Sequence, residues 1–243
     1  MYLLLAAAIP VVIFLYLIYR NDTHKEPFKI LLKCLLGGAV AIIFTLLINI
    51  PLGILKPFFN FPYGSEFYTA FITAGFAEEL SKFAVLYFIV WKLKDFDQHY
   101  DGIVYAVFVS LGFALIENIM YVMEGGFGVA GVRAVLAIPG HGFFGVIMGY
   151  YLSLARFNSE KTRKDYLYKA FFYPFLFHSF YDFMLFIAGY AVDNSYFIIL
   201  LMISFTYLII RLWKLGFQKI KSLTQADKEE EKLHDVTFKD WNE

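Results

Sequence analysis

Seven stretches of roughly 20 apolar residues, the length an α-helix needs to cross bilayer hydrocarbon, recur along this chain at approximately 2–19, 30–50, 67–91, 102–123, 132–155, 168–190 and 195–213. In lipid each backbone N–H and C=O must be satisfied within its own segment, so runs of this kind specify helices and exclude an open sheet. Composition agrees, with 60% hydrophobic and only 17% charged residues, well away from a soluble domain. The expected fold is all-α: a polytopic transmembrane helical bundle of about seven or eight helices. The first run lacks a basic n-region and a small-residue cleavage site, so it reads as a retained helix rather than a signal peptide. The 21 basic and 21 acidic side chains provide no basic stripe for nucleic acid. The single cysteine, Cys34, rules out an internal disulfide and reads as a small core residue.

Lysine and arginine are retained on the cytoplasmic side of a membrane, and their distribution predicts one orientation. With the N-terminus outside, the inner segments hold Arg20, Lys25 and Lys29, then Lys92 and Lys94, then Arg156 to Lys169, then Lys214 to Lys221. The outer segments hold only Lys56 and Arg133. Seven crossings place the C-terminus inside. The organisation expected is an integral membrane domain over 1–222 and a charged cytoplasmic tail over 223–243, either a short solvated helix or disordered. The segment with Pro51, Pro57, Pro62 and Gly64 reads as irregular chain along the interface.

Inside the apolar runs stand Glu78, Glu79, Lys82, Glu117, His141, His178 and Asp182. An ionisable group costs several kcal/mol at the bilayer centre unless it is paired, hydrated or bound to metal, so a cluster of them marks a functional site. At about 1.5 Å of rise per residue, Glu79, Glu117, His141 and His178 come to lie about 9–19 Å below the outer surface, with Asp182 among them. Four helices distant in sequence thus deliver acids and imidazoles to one layer. Glu78 and Lys82 are four apart and share a helix face, whereas Glu79 points about 100° away, which predicts a neutralised Glu78–Lys82 pair and a Glu79 free for chemistry. His178 and Asp182 share the same spacing, so the aspartate can orient the imidazole or join it at a common ligand. Phe113 and Glu117 repeat the interval, with Asn118 beside the acid. His141 lies between Gly140 and Gly142, with Gly145 a turn away, so a substrate backbone or another helix can approach it closely.

Glu78-Glu79-x-x-Lys82, Phe113-x-x-x-Glu117, His141-x-x-x-Gly145 and His178-x-x-x-Asp182, in that order on successive apolar helices, resemble the signature of the PrsW family of intramembrane proteases. That family is distantly similar to the CAAX prenyl protease and Abi proteins. The resemblance covers roughly residues 67–190, and an ordered set of four motifs within apolar helices is far more specific than a lone EExxK. It implies cleavage of a membrane-anchored protein near the outer face, typified by the first cut in an anti-sigma factor during stress signalling. It also implies a divalent metal, zinc being the one suited to carboxylate and imidazole ligands, although a purely glutamate-based mechanism is argued in the CAAX and Abi group. On this reading Glu79 is the general base and Glu78 supports it through Lys82. Glu117, His141 and His178 hold the metal, or the water and oxyanion, and Asp182 orients His178 or adds a ligand.

The plainer readings are structural. Glu78–Lys82 can be a pair that merely lets the helix insert, and Asn118 a bridge between helices. Glu66, Glu124 and Arg133 read as interfacial or loop charges, and His24, His99 and His234 as solvated. A different class of function, a proton-coupled transporter, would also place acids and histidines at one depth. The absence of an internal repeat argues against it. A CAAX- or Abi-like peptidase acting on other membrane or lipidated peptides is the remaining alternative.

Overall fold

The computed structural model describes residues 1–189 and 195–240, the side chains of 234–240 excepted. Among them there is no strand. The helices are α1 (Tyr2–Asn21), α2 (Phe28–Leu52), α3 (Gly64–Tyr68), α4 (Ala77–Val90), α5 (Asp101–Val135), α6 (Ala137–Phe157), α7 (Glu160–Ala188) and α8 (Ser195–Asp240). A 3₁₀ turn covers Gly53–Phe58, and a π-helical stretch, Thr69–Phe76, joins α3 to α4 into one rod. The seven apolar runs therefore become seven long helical segments. Among the described residues five helical stretches are long and apolar enough to cross a membrane, one of them containing both α5 and α6. Gly64–Val90 carries the acids and falls outside that count.

Helix α5 is the central element: from Asp101 to Ala114 all but one of its residues are buried, and α1, α2 and α6 pack around it. Close approach needs small residues where backbones meet. A Cβ on Gly38 would lie 1.9 Å from the Val109 carbonyl oxygen, and one on Gly149 would lie 2.2 Å from that of Gly102. Such contacts are how helices associate where the surrounding lipid removes the hydrophobic drive. The outward faces of α1, α2 and α8 keep large apolar side chains such as Ile13, Ile43 and Leu200 exposed, as a lipid-facing surface requires. Pro174 stays inside α7 without ending it, a tolerance that packing by neighbouring helices permits.

Two departures from regular helix shape the interior. In the π-helical stretch the Thr69 and Thr73 hydroxyls donate to carbonyls four residues back, and Asn49 of α2 donates to the Thr73 carbonyl at 3.0 Å. The wider turn sits immediately before Glu78 and Glu79, and π turns recur next to functional residues. The second departure is at Gly126 in α5, with φ 71° and ψ −160°, a region open essentially to glycine alone. A Cβ there would meet no atom within 4 Å, so strain alone sets the cost of substitution. Gly126→Ala is expected to destabilise the protein by about 1–3 kcal/mol, measurable as a shift in the SDS unfolding midpoint.

The end of the bundle away from Met1 differs from expectation. Helix α8 continues unbroken from the apolar run to Asp240 rather than stopping near 213. The charged segment is thus helical as far as Asp240, one of the two readings given for it, but it is not simply solvated: Asp227 is buried. Its carboxylate accepts the backbone N–H groups of His99 and Tyr100 at 2.7 and 2.9 Å and faces the His99 ring Nδ1 at 3.1 Å. Asp227 thus caps the start of α5 from another helix, supplying the acceptor that a helix N-terminus needs. His99, read as solvated, is the other half of that contact.

The bond to Asp227 holds the His99 pKa above its ordinary value of 6.5, despite partial burial, and burial pushes the nearby Glu26 carboxyl up from 4.5 to about 7. Both values are raised on folding. Their stabilising contributions are complete below the unfolded values of 6.5 and 4.5 and are lost as pH rises through the folded ones. Hydrogen–deuterium exchange of the amides of His99 and Tyr100, corrected for intrinsic rate, should therefore be slower at pH 6 than at pH 9. His99→Gln should remove most of the difference.

Candidate active site

The site is built where α4, α5, α6 and α7 converge, towards the end of the bundle that carries Met1. Glu79 and Lys82 on α4 have no exposed surface. The Lys82 Nζ donates to Glu79 Oε1 at 2.9 Å, Glu78 Oε2 at 3.2 Å and His141 Nδ1 at 3.2 Å, and it lies 4.1 Å from the centre of the Phe113 ring. An ammonium only donates, so its three protons are committed and His141 Nδ1 must accept. The other ring nitrogen of His141 then carries the proton and donates to Glu117 Oε2 at 2.9 Å. The His178 Nδ1 faces Glu79 Oε1 at 2.8 Å, and its Nε2 faces Asp182 Oδ2 at 3.3 Å and Glu78 Oε2 at 4.0 Å. The Phe144 ring stacks on His178, with centroids 4.9 Å apart.

All of the expected residues are brought together except Asn118, which stands one contact further out. It donates to the Ala7 carbonyl of α1 at 2.8 Å. One expectation changes: Glu79 is not the unpaired acid. A lysine side chain is long and flexible enough to reach positions three and four residues back at once, so Lys82 holds both glutamates. The second oxygen of Glu79, Oε2, is buried and has no hydrogen-bond partner. The glycines around His141 admit other helices: a Cβ on Gly145 would lie 3.0 Å from the Val107 Cα of α5, and one on Gly142 would lie 2.5 Å from the Phe14 ring of α1.

Sequence reading missed Arg133, taken for an interfacial charge. In a continuous helix it would stand about 24 Å along the axis from Glu117. The turn at Gly126 returns it, so that an Arg133 terminal nitrogen lies 3.1 Å from Glu117 Oε2 and Nε donates to Asn118 Oδ1 at 2.7 Å. With Glu117, His141, His178, Tyr181 and Asp182 it lines a cavity of about 150 Å³.

One donor atom each from Glu78, His141 and His178 lies within 4.8 Å of the others. Two imidazoles and one carboxylate form a set that catalytic zinc uses while keeping a position open for water. Glu79 touches this set through Oε1, 2.8 Å from His178 Nδ1, and its buried Oε2 has no partner. The residues therefore fit a divalent metal.

A multi-pass helical membrane protein whose buried acids and imidazoles form a metal-fitting set beside a small cavity has the groups that an intramembrane hydrolase needs. Residues 26–209 match the model of the PrsW family intramembrane metalloproteases. Over 234 residues the chain is 37% identical to a protein named Protease PrsW from Clostridioides difficile, with 93% of each covered. It is 38% identical over 183 residues to one from Oceanobacillus iheyensis, covering 75% of this chain and 82% of that protein. It is 41% identical over 158 residues to one from Bacillus subtilis, covering 65% and 68%. No solved structure matches. The chain belongs to the PrsW family of intramembrane metalloproteases.

Proposed function

We propose that this protease cuts a single-pass membrane protein close to its extracytoplasmic side, the substrate being an anti-sigma factor released for further processing in a stress response. Basic residues gather in the segments at the end of the bundle away from the site, which supports a reading with the N-terminus outside and the C-terminal tail, 223–243, in the cytoplasm. The membrane domain is then 1–222. The observation that carries the catalytic reading is the buried, unpartnered Glu79 Oε2 beside the Glu78, His141 and His178 donors.

In this reading Glu78, His141 and His178 hold a zinc ion, which when bound supplies Lewis acidity and eases deprotonation of water. His178 Nδ1 faces Glu79 Oε1, so the nitrogen left for the metal is Nε2, and Asp182, 3.3 Å from that atom, stays among the groups that would hold the ion. Glu117, 2.9 Å from His141 Nε2, orients the other ring and leaves Nδ1, the nitrogen that Lys82 faces, for the metal. Glu79 is the general base. Lys82 and His178 fix its Oε1, which aims Oε2 at the attacking water and leaves it to take the proton. Lys82 balances Glu78 and Glu79 so that both carboxylates persist in the dry interior. Asn118 ties this part of α5 to α1.

Proteoliposomes holding the purified protein and a single-pass anti-sigma factor test this reading. Cleavage should cease with a zinc chelator and return on adding zinc. Cleavage unaffected by exhaustive chelation, with no bound metal detected, would remove the metal from the scheme.

A further inference from the structure

We propose that Arg133 is a catalytic residue of this site, its guanidinium donating a hydrogen bond to the carbonyl oxygen of the peptide bond being cut. The proposal rests on the protease reading above. Peptide hydrolysis needs a base for the water and a donor for the oxygen on which negative charge develops. Among the described residues Lys82, the other cation at the site, is held by Glu79 and Glu78 at 2.9 and 3.2 Å and does not line the cavity.

Arg133 is placed differently. Its Nε is spent on Asn118, which is itself anchored to the Ala7 carbonyl, so the guanidinium plane is held. One terminal nitrogen is buried beside Glu117 Oε2 but makes no aligned hydrogen bond, leaving directed donors free at the wall of the cavity. A guanidinium carries five N–H groups and no acceptor, and a charged donor in a water-poor site is worth more than a neutral one. The Glu117 carboxylate keeps the cation in place between turnovers. Its position depends on the Gly126 turn, a backbone conformation with no packing reason of its own.

The electron and proton count is that of simple hydrolysis. Water attacks the carbonyl carbon as Glu79 takes its proton. The π electrons of the C=O bond move to the oxygen held by Arg133. The C–N bond then breaks as that oxygen re-forms its double bond, and Glu79 returns the proton to the leaving nitrogen. Arg133 forms no covalent bond and keeps its charge.

The test compares wild type, Arg133→Gln, Arg133→Lys and Tyr181→Phe in cleavage of a fluorescently tagged single-pass anti-sigma factor. Tyr181 is included because its buried hydroxyl also lines the cavity without a partner. Arg133→Gln is expected to lower kcat about 100-fold with KM within about threefold, the loss seen when one such donor is removed. Arg133→Lys, which keeps the charge but not the fork, should fall between, and added guanidinium should partly restore Arg133→Gln. A merely structural role would give neither the kcat-only loss nor the rescue. Wild-type kcat in Arg133→Gln, a loss confined to KM, or a 100-fold loss in Tyr181→Phe alone would overturn the assignment while leaving the protease reading intact. A folded wild-type protein that cuts nothing would remove both.

Discussion

Glu79→Gln is expected to lower kcat by about 10²–10⁴-fold, the contribution of a positioned general base, while the protein stays folded and KM stays within about threefold. The substitution preserves the shape of the side chain, and its amide oxygen can still accept from Lys82 at the position now 2.9 Å away. What it removes is the basicity of Oε2, a buried carboxylate oxygen without a partner. Glu78→Gln should behave differently: Glu78 is a member of the donor set with His141 and His178, so its loss should reduce bound metal as well as turnover. Metal content measured on both variants separates the two roles, and a Glu79→Gln enzyme retaining more than a tenth of wild-type kcat would exclude Glu79 as the base.

The second large effect is on stability. Lys82→Met is expected to cost about 3–5 kcal/mol, the range for removing one partner of a buried ion pair, read as a lower SDS unfolding midpoint. Methionine fills much of the same volume, so packing is not the source of the loss. The source is electrostatic, because Lys82, with no exposed surface, neutralises the fully buried Glu79 carboxylate and the largely buried one of Glu78. Combining Lys82→Met with Glu79→Gln should therefore be less destabilising than the sum of the single changes, since the abandoned charge is then absent. Simple additivity would mean that Lys82 contributes by packing rather than by charge.

Much of this site was legible because its signals are local. Glu78 and Lys82, or His178 and Asp182, reveal their contact through a four-residue interval, and the agreement in depth of Glu79, Glu117, His141 and His178 follows from helix rise alone. The reach of a lysine is not encoded by interval, which is why Glu79 was expected to be free and is instead bonded to Lys82. Arg133 was hidden for a stronger reason. No periodic pattern joins it to Glu117 sixteen residues earlier, and only the backbone of Gly126 does so. A glycine pair followed by a charge in an apolar run was the available clue. Asp227 was missed likewise, because the groups that donate to it are the backbone amides of His99 and Tyr100, just before α5, and backbone groups leave no motif. The apolar runs set the number of helical segments correctly but not their ends, since α8 continues well past its hydrophobic part.

The most direct test of the central claim is product mapping by mass spectrometry. Wild type and Glu79→Gln would be compared in proteoliposomes of known orientation with a single-pass anti-sigma factor. The account predicts one main cut on the extracytoplasmic side of the substrate, made by wild type and absent with Glu79→Gln. Substrate left intact by folded, metal-loaded wild type, or cut equally by the variant, would contradict it.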